Sequence, residues 1–263
     1  MNSKENEMTL NNFEEYEDPI LYDKENDAYM PEIPFLLKWA AKKQGPIIDL
    51  ACGTGRVTIP LAENGHKVIG VDIHKGMLDE ARKKTAELDL QIEWIEQDCT
   101  KLNLHAKSNL IYSVGNSFQH FLTNEAQDEL LSSVNNHLEV GGAFIFGTRF
   151  PSVEELLQPP TEEYWKMYTD RETQQTVDVF TISNYDSLDQ IQQYTTIRKY
   201  KDSSGKIIEE KSTNIRLRYV FPKEMERLLH THGFEIVHLY KDWNEAPITN
   251  DSYEMIYVCK KVS

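Results

Sequence analysis

A glycine-containing turn joins an apolar run to a helical pattern near the fiftieth residue. Residues 47–56 read IIDLACGTGR, in which a buried strand ends in small residues and a helix begins at once. Glycine lets a ligand approach the backbone closely, and the first turn of a helix supplies amide donors. The turn is therefore predicted to bind a nucleotide-type cofactor, although a glycine-rich turn alone does not say which one.

The dinucleotide-binding pattern G-x-G-x-x-G is incomplete in this turn. Its third glycine would stand at Arg56 if the pattern began at Ala51, and at Thr58 if it began at Gly53. Neither residue allows the close packing of helix and strand that glycine provides. Asp49, inside the strand before the turn, would repel a pyrophosphate and attract an ammonium or sulfonium group. We therefore expect a zwitterionic or cationic cofactor rather than NAD.

Two more acidic residues follow the next two predicted strands. Asp72 ends the second strand, where a carboxylate can accept both hydroxyls of a ribose. Asp98 ends the third strand and suits the exocyclic amine of adenine. Met77, on the helix after Asp72, can cover an adenine face with its thioether. Core packing is the alternative for Met77 and for Ile73.

The elements that must position these residues follow an alternating pattern from residue 46 onward. Short apolar runs predict strands, and apolar residues at a spacing of 3.6 predict helices. Strand, helix, strand repeated in this way indicates a parallel sheet with helices on both faces. The strands are predicted at 46–51, 67–73, 91–97, 109–114 and 143–148, and the helices at 56–64, 75–87 and 124–138.

The pattern changes after Pro151. Three strand-like runs separated by turn-rich segments predict an antiparallel insertion of three or so strands, at 176–184, 190–200 and 207–220. A helix at 222–232 and strands at 235–240 and 253–260 then complete the pattern. We expect an N-terminal helical cap (1–40), a core (41–160 and 220–263) and a β insertion (161–219).

Several of these motifs, in order, resemble those of the class I S-adenosylmethionine-dependent methyltransferases. They are residues 49–56, Asp72, the HKGML run at 74–78 with Ala81, Asp98, and the LEVGG run at 138–142. The resemblance covers roughly residues 20–150 and 219–261. It implies a doubly wound, seven-stranded, mostly parallel α/β sheet whose last strand is antiparallel. The sequence departs from the family at Ala51, where glycine is usual, and at His74, where serine or aspartate is usual.

The resemblance also implies a role for each matching position in binding S-adenosylmethionine. Asp49 and the backbone of Ala51, Cys52, Gly53 and Gly55 would hold the amino-acid end. Arg56 would meet the carboxylate, with Tyr22 from a PILYD run (19–23) that resembles a Tyr-Asp cap. Asp72 would bind the ribose, Ile73 and Met77 would pack on adenine, Asp98 and the Cys99 amide would contact the adenine edge, and Val114 would lie near the sulfonium.

The segment after the fourth strand, 115–121, is where this family faces its methyl acceptor. His120 has the pKa range of a general base, with a solvent-facing histidine as the alternative. Phe118 could line the pocket or pack in the core. Asn116 and Arg149 are further candidates for contact with the acceptor, and no metal site is expected.

Charge and composition exclude other classes of function. The net charge is −15, and residues 1–32 hold ten acidic and two basic residues. Nucleic-acid binding is therefore not expected, because it needs clustered lysine and arginine. No apolar run is long enough to span a membrane, and a secretory signal is not expected, because the first residues lack its basic start and apolar core. The three scattered cysteines fit a reducing cytoplasm.

The leading hypothesis is methyl transfer from S-adenosylmethionine to an N or O atom of a small molecule. Two alternatives stay open: a protein that binds the cofactor without catalysis, and a methyltransferase that acts on a protein or RNA. A homodimer formed through the β insertion is a further expectation, because one face of the insertion alternates apolar residues and must be covered.

Overall fold

The structure, a computed structural model, describes residues 12–170 and 173–262. Its helices are α1 (Pro19–Asn26), α2 (Glu32–Ala40), α3 (Thr58–Glu63), α4 (Lys75–Glu87), α5 (Asn124–His137), α6 (Val153–Leu156) and α7 (Pro222–Thr231). Its strands are β1 (Ile47–Leu50), β2 (Val68–Asp72), β3 (Glu93–Glu96), β4 (Ser108–Ser113), β5 (Leu138–Arg149), β6 (Glu163–Thr169), β7 (Thr176–Asp186), β8 (Ile191–Lys201), β9 (Ile207–Arg218), β10 (Phe234–Tyr240) and β11 (Glu254–Lys261).

Within its described residues the chain divides into two compact units. The core unit is Tyr29–Ser152 with Tyr219–Ser263, and the insertion unit is Met1–Ala28 with Val153–Arg218. The segment predicted as an N-terminal cap is thus shared, since α1 belongs to the insertion unit and α2 to the core unit. Its first eleven residues lie outside the described range.

The core unit is built on a seven-stranded sheet of order β10-β11-β5-β4-β1-β2-β3. Strand β11 runs antiparallel to both of its neighbours, and the other pairs are parallel. This confirms the predicted fold class. Every residue of β1 and β2 is buried, as expected for parallel strands covered on both faces.

Alternation along β1 sends its apolar side chains to two hydrophobic clusters on opposite faces of the sheet. Ile48 and Leu50 join the cluster that contains the apolar residues of α5 and α7. Ile47 joins the cluster that contains those of α2 and α3. The helices therefore cover both faces, and the carboxyl ends of β1, β2 and β4 are left to carry loops.

Strand β5 is longer than predicted. It begins at Leu138, directly after α5, and continues through Gly141 and Gly142 to Arg149. A Cβ at Gly142 would stand 2.8 Å from the Glu139 carbonyl oxygen, so only glycine allows this tight passage. The sequence analysis interpreted the same pair as a turn before the strand, and that boundary was wrong.

The insertion unit contains a separate four-stranded antiparallel sheet of order β6-β7-β8-β9. Strands β7, β8 and β9 correspond to the three predicted runs, and β6 was missed. Strand β6 is an edge strand with most of its residues exposed, so it lacks the alternation of a half-buried strand. Its aromatic content was the available signal.

None of the helices in the described part of the chain combines the length and the apolar character that a membrane span requires.

Candidate active site

The turn between β1 and α3 has an unusual backbone. Ala51, Gly53 and Gly55 have φ angles of 54°, 56° and 85°, so three of five consecutive residues are left-handed. Glycine adopts this conformation freely, whereas a residue with a Cβ is strained by about 1–2 kcal/mol. Ala51 therefore keeps the left-handed conformation at a position where the resembling family usually has glycine.

Asp72 connects this turn to the end of β2. Its Oδ2 accepts a hydrogen bond from the Gly53 amide at 2.8 Å, and its Oδ1 accepts one from the His74 amide at 2.8 Å. Burial raises the pKa of Asp72, and these two amides act in the opposite direction. Each carboxylate oxygen has two lone-pair sites, so Asp72 retains acceptor capacity for two hydroxyl groups of a ligand.

Asp49, in the strand before the turn, has a buried carboxyl group with only one of its two oxygens hydrogen-bonded among the described residues. It is 1% exposed, and its Oδ2 accepts a hydrogen bond from the Thr58 hydroxyl at 2.5 Å. Its Oδ1 has no hydrogen-bond partner among the described residues. Burial raises the pKa of Asp49 to about 7. A buried carboxyl of this kind is better stabilised in its charged form by a nearby cation, which fits a zwitterionic or sulfonium ligand.

His74 begins α4 as its N-cap. Its Nδ1 accepts a hydrogen bond from the Met77 amide at 3.3 Å, so histidine performs the capping role that serine or aspartate performs elsewhere. Met77 is fully buried, whereas Ile73 is 42% exposed. Ile73 therefore has the freer surface for packing on a flat ring.

The third predicted group lies at the ends of β3 and β4. Asp98 caps the short turn Cys99–Lys101, because its Oδ1 accepts hydrogen bonds from both the amide and the hydroxyl of Thr100 at 2.9 Å. The Cys52 and Cys99 thiols are buried, and burial raises the pKa of both. Val114 is buried immediately after β4. These residues follow the carboxyl ends of β1, β3 and β4.

Arg56 already has a carboxylate partner in this structure. Its guanidinium binds Glu32 of α2 through two nitrogens, at 2.7 and 3.2 Å, and also donates to the Tyr29 carbonyl. Burial, followed by the charges of Glu254 and Glu32, raises the pKa of Tyr29 to about 12. The sequence analysis did not find this acidic surrounding, since α2 and β11 are far from the turn along the chain.

Arg149 lies near the acidic residues around Tyr29, whereas Tyr22 belongs to the insertion unit. Arg149, at the end of β5, pairs in register with Glu254, and its charge opposes the rise in the pKa of Glu254 that burial and Glu32 produce. Tyr22 lies on α1 in the insertion unit, where its ring centroid is 5.7 Å from that of Tyr16.

The segment after β4 forms a turn, Ser117–His120, preceded by Asn116 with a φ of 59°. Phe118 is buried, and its ring stacks on Phe146 with centroids 5.1 Å apart. This placement is core packing and does not support the predicted pocket role of Phe118. Burial lowers the pKa of His120 to about 4, so its imidazole is neutral at pH 7.

Trp94 of β3 was missed. A Cβ at Gly70 would stand 2.4 Å from the Trp94 ring, and one at Gly55 would stand 2.7 Å from it. The indole donates to the Thr85 hydroxyl of α4 at 3.3 Å. Trp94 therefore packs against both β2 and the cofactor turn. The contact follows from the strand register, which pairs Trp94 with Gly70, and the sequence alone does not give that register.

A sheet of this order, with a left-handed glycine turn after β1 and acids after β2 and β3, defines the class I S-adenosylmethionine-dependent methyltransferases. Residues 47–142 match the family model described as "Methyltransferase domain". Residues 47–142 of the core unit are therefore a methyltransferase domain, and the cofactor of this class of enzyme is S-adenosylmethionine.

Known proteins extend this comparison. Over 99 residues the chain is 35% identical to a cypemycin N-terminal methyltransferase of Streptomyces sp. The aligned stretch covers 37% of this chain and 39% of that protein. The chain spans about half the length of the curated relatives it matches.

Two solved structures match over most of the chain. The CcbJ methyltransferase from Streptomyces caelestis is 22% identical, with a TM-score of 0.79 over 97% of this chain and 98% of that one. CalS10, an amino pentose methyltransferase from Micromonospora echinaspora, is 15% identical, with a TM-score of 0.72 over 92% and 94%. At these identities the likeness establishes the fold.

Proposed function

We propose that this protein transfers a methyl group from S-adenosylmethionine to an N or O atom of a small molecule. The observation that carries the proposal is the link between Asp72 and the Gly53 amide. It holds the left-handed turn and the acid after β2 in one arrangement, which is suited to a cofactor that has an amino-acid end and a ribose.

In this proposal the cofactor residues are those with matching chemistry in the core unit. The backbone of 51–55 and the charge of Asp49 hold the amino-acid end, Asp72 binds the ribose, and Ile73 packs on adenine. Arg56 contacts the carboxylate, in competition with Glu32. Asp98, Cys99, Met77 and Val114 complete the site.

Bound S-adenosylmethionine supplies a methyl group on a positively charged sulfur, which an acceptor displaces in line. Most of the rate then comes from alignment of the acceptor. His120 is the residue we propose to accept a proton from the acceptor, since its neutral imidazole is available at pH 7. Asn116 and Arg149 are proposed to contact the acceptor.

An amine is the acceptor that the charges of the core unit favour. Glu254, Glu32 and Asp242 all act on the phenol of Tyr29 near the carboxyl ends of the strands, and Arg56 opposes them. Carboxylates attract an alkylammonium compound and repel an acidic one. Two relatives support this choice, because one is named as an amino pentose methyltransferase and the other as an N-terminal methyltransferase.

The test is transfer of labelled methyl groups to a panel of small amines and alcohols, a peptide with a free N-terminus, and RNA. We expect labelling of small amines, and less labelling with the Asp72→Ala variant when S-adenosylmethionine is below saturation. Labelling of the peptide or the RNA alone would show a macromolecular acceptor. Cofactor binding without labelling of any acceptor would favour a non-catalytic role.

We also propose a homodimer formed through the insertion unit. Tyr164, Trp165 and Met167 of edge strand β6 are all exposed, and exposed aromatic edge strands are frequent sites of association. Light scattering should give twice the mass of one chain, and a Trp165→Lys variant should give the mass of one. A monomeric wild-type protein would contradict this proposal.

A further inference from the structure

The side-chain amide of Gln119 is buried and makes no hydrogen bond to the described residues. Its side chain is 0% exposed, and neither Oε1 nor Nε2 has a partner among the described residues. A primary amide has two donors and two acceptor sites, and leaving them unpaired in the interior costs free energy. Native proteins retain few such groups, and each calls for an explanation.

The position of Gln119 is set by its neighbours. Its backbone N–H donates to the Asn116 carbonyl at 3.0 Å, which closes the turn after β4. Phe118, the preceding residue, anchors the turn by stacking on Phe146 of β5. The turn is therefore held against β5 at the carboxyl end of the sheet, the edge at which ligands bind in open α/β folds.

A second unpaired group lies on the adjoining strand. Thr148 is fully buried, and its hydroxyl also has no hydrogen-bond partner in the described chain. Because side chains alternate along a strand, Thr148 shares the face of Phe146 and lies one step closer to the carboxyl end. Two unsatisfied polar side chains thus come from neighbouring elements at one edge.

Gln127 shows that this part of the fold can satisfy a buried glutamine. It is 2% exposed, on α5, and its Nε2 donates to the Phe121 carbonyl at 3.0 Å. That amide connects α5 to the end of the same turn, so its role is structural. The difference between the two glutamines is that, among the described residues, the side chain of Gln127 has a hydrogen-bond partner and that of Gln119 has none.

We infer that Gln119 and Thr148 recognise a hydroxyl group on the methyl acceptor. Both side chains donate and accept hydrogen bonds, so they match a hydroxyl, which does the same, better than a carboxylate or an ammonium group. The acceptor class is therefore a hydroxylated amine. This inference rests on the proposed function, because it concerns the acceptor of that reaction.

The test measures binding, so that it does not depend on turnover. Two probes, an aminodeoxyglucose and cyclohexylamine, are titrated by calorimetry into the protein saturated with S-adenosylhomocysteine. We expect the wild type to bind the hydroxylated probe at least about tenfold more tightly. Gln119→Leu and Thr148→Val should remove most of this preference.

Thermal unfolding of the same variants separates recognition from structure. Gln119→Leu should leave the melting temperature unchanged or raise it, since no internal hydrogen bond is lost. Gln127→Leu, the matched control, should lower it and keep the preference for the hydroxylated probe.

Three results would overturn the inference: equal or absent binding of both probes by the wild type, an unchanged preference in Gln119→Leu, or a lowered melting temperature in that variant. Failure of methyl transfer with the preference intact would instead contradict the proposed function.

Discussion

The core unit and the insertion unit are stabilised by different interactions. Two large apolar clusters fill the core unit on either side of its sheet. The apolar cluster of the insertion unit consists of Val177, Val179 and Tyr200, with Tyr168 packed against it. What the insertion unit has in addition is a buried arginine, Arg198, whose side chain is 4% exposed.

Arg198 joins the N-terminal segment to the inserted sheet. It donates to Glu25 of α1 at 2.7 and 2.9 Å, to Glu15 at 2.8 Å and to Thr213 of β9 at 2.7 Å. Buried ion pairs require defined partners and geometry, whereas apolar cores tolerate many substitutions. The comparison teaches that the fold of residues 12–28 depends on contacts with the inserted sheet, although the two segments are far apart in the sequence.

The strongest test of this division removes the whole insertion unit. A variant that begins at Tyr29 and replaces Val153–Arg218 with a short Gly-Ser linker should still bind S-adenosylmethionine, because the predicted cofactor residues other than Tyr22 belong to the core unit. Methyl transfer to the natural acceptor should be abolished. Calorimetry and a labelled-methyl assay measure the two effects. Full activity in the shortened protein would mean that the insertion unit takes no part in the reaction.

The next test concerns Arg198. Replacing it with methionine leaves the carboxylates of Glu25, which is buried, and Glu15, which is partly buried, without their guanidinium partner. This loss should cost about 3–5 kcal/mol. Hydrogen exchange should then show earlier opening of residues 12–28, with the core strands unchanged. The control is Lys211→Met, since the Lys211–Glu209 pair is exposed and should contribute little. Equal effects of the two variants would contradict the role assigned to Arg198.

A substitution of His120 tests whether a residue of the core unit accepts the proton from the methyl acceptor. The efficiency of a general base is best when its pKa is near the working pH. Burial lowers the pKa of His120 to about 4, so we expect His120→Ala to reduce turnover at the low end of the usual range, ~10²-fold. Cofactor affinity should be unchanged, and turnover should show no break near pH 6.5. His105→Ala, at an exposed site, is the control, and a loss below about threefold would leave His120 a structural residue.

Asp72 tests the cofactor site itself. Its two charge-assisted hydrogen bonds to ribose hydroxyls would each contribute about 1.5–3 kcal/mol. Asp72→Ala should therefore weaken S-adenosylmethionine binding at least about tenfold in calorimetry. Asp79→Ala, on the exposed side of α4, should have no effect. Unchanged affinity in Asp72→Ala would remove this residue from the site.

Features that depend on local spacing could be predicted from the sequence, whereas contacts between distant residues could not. The turn at 47–56, Asp72 and Asp98 could be proposed from the sequence because each lies at the end of a predicted strand and its proposed role depends on local spacing. The Arg198 contacts join residues separated by 173 and 183 positions in the chain, and no local pattern specifies such pairs. The unpaired state of Gln119 and the contact of Trp94 with two glycines likewise depend on packing between elements.

The last expected effect is a pH dependence that originates in the core unit. Burial raises the pKa of Asp49 from 3.8 to about 7, so the folded protein holds this proton more tightly than the unfolded chain does. The stability that Asp49 contributes is therefore fully present below about pH 4 and is lost as the pH rises through about 7. The insertion unit, in which charged pairs predominate, should not share this behaviour.

The Asp49→Asn variant isolates this contribution, because an amide does not titrate and occupies nearly the same volume. We expect the free energy of unfolding of the wild type, minus that of Asp49→Asn, to fall between pH 4 and pH 7 and to level off above that range. Urea titrations at intervals across pH 4–8 measure the difference, with Asp202→Asn, in an exposed turn of the insertion unit, as the control. A difference that stays constant, or that rises with pH, would mean that Asp49 is ionised throughout. In that case its charge is already compensated in the folded protein without a bound cation.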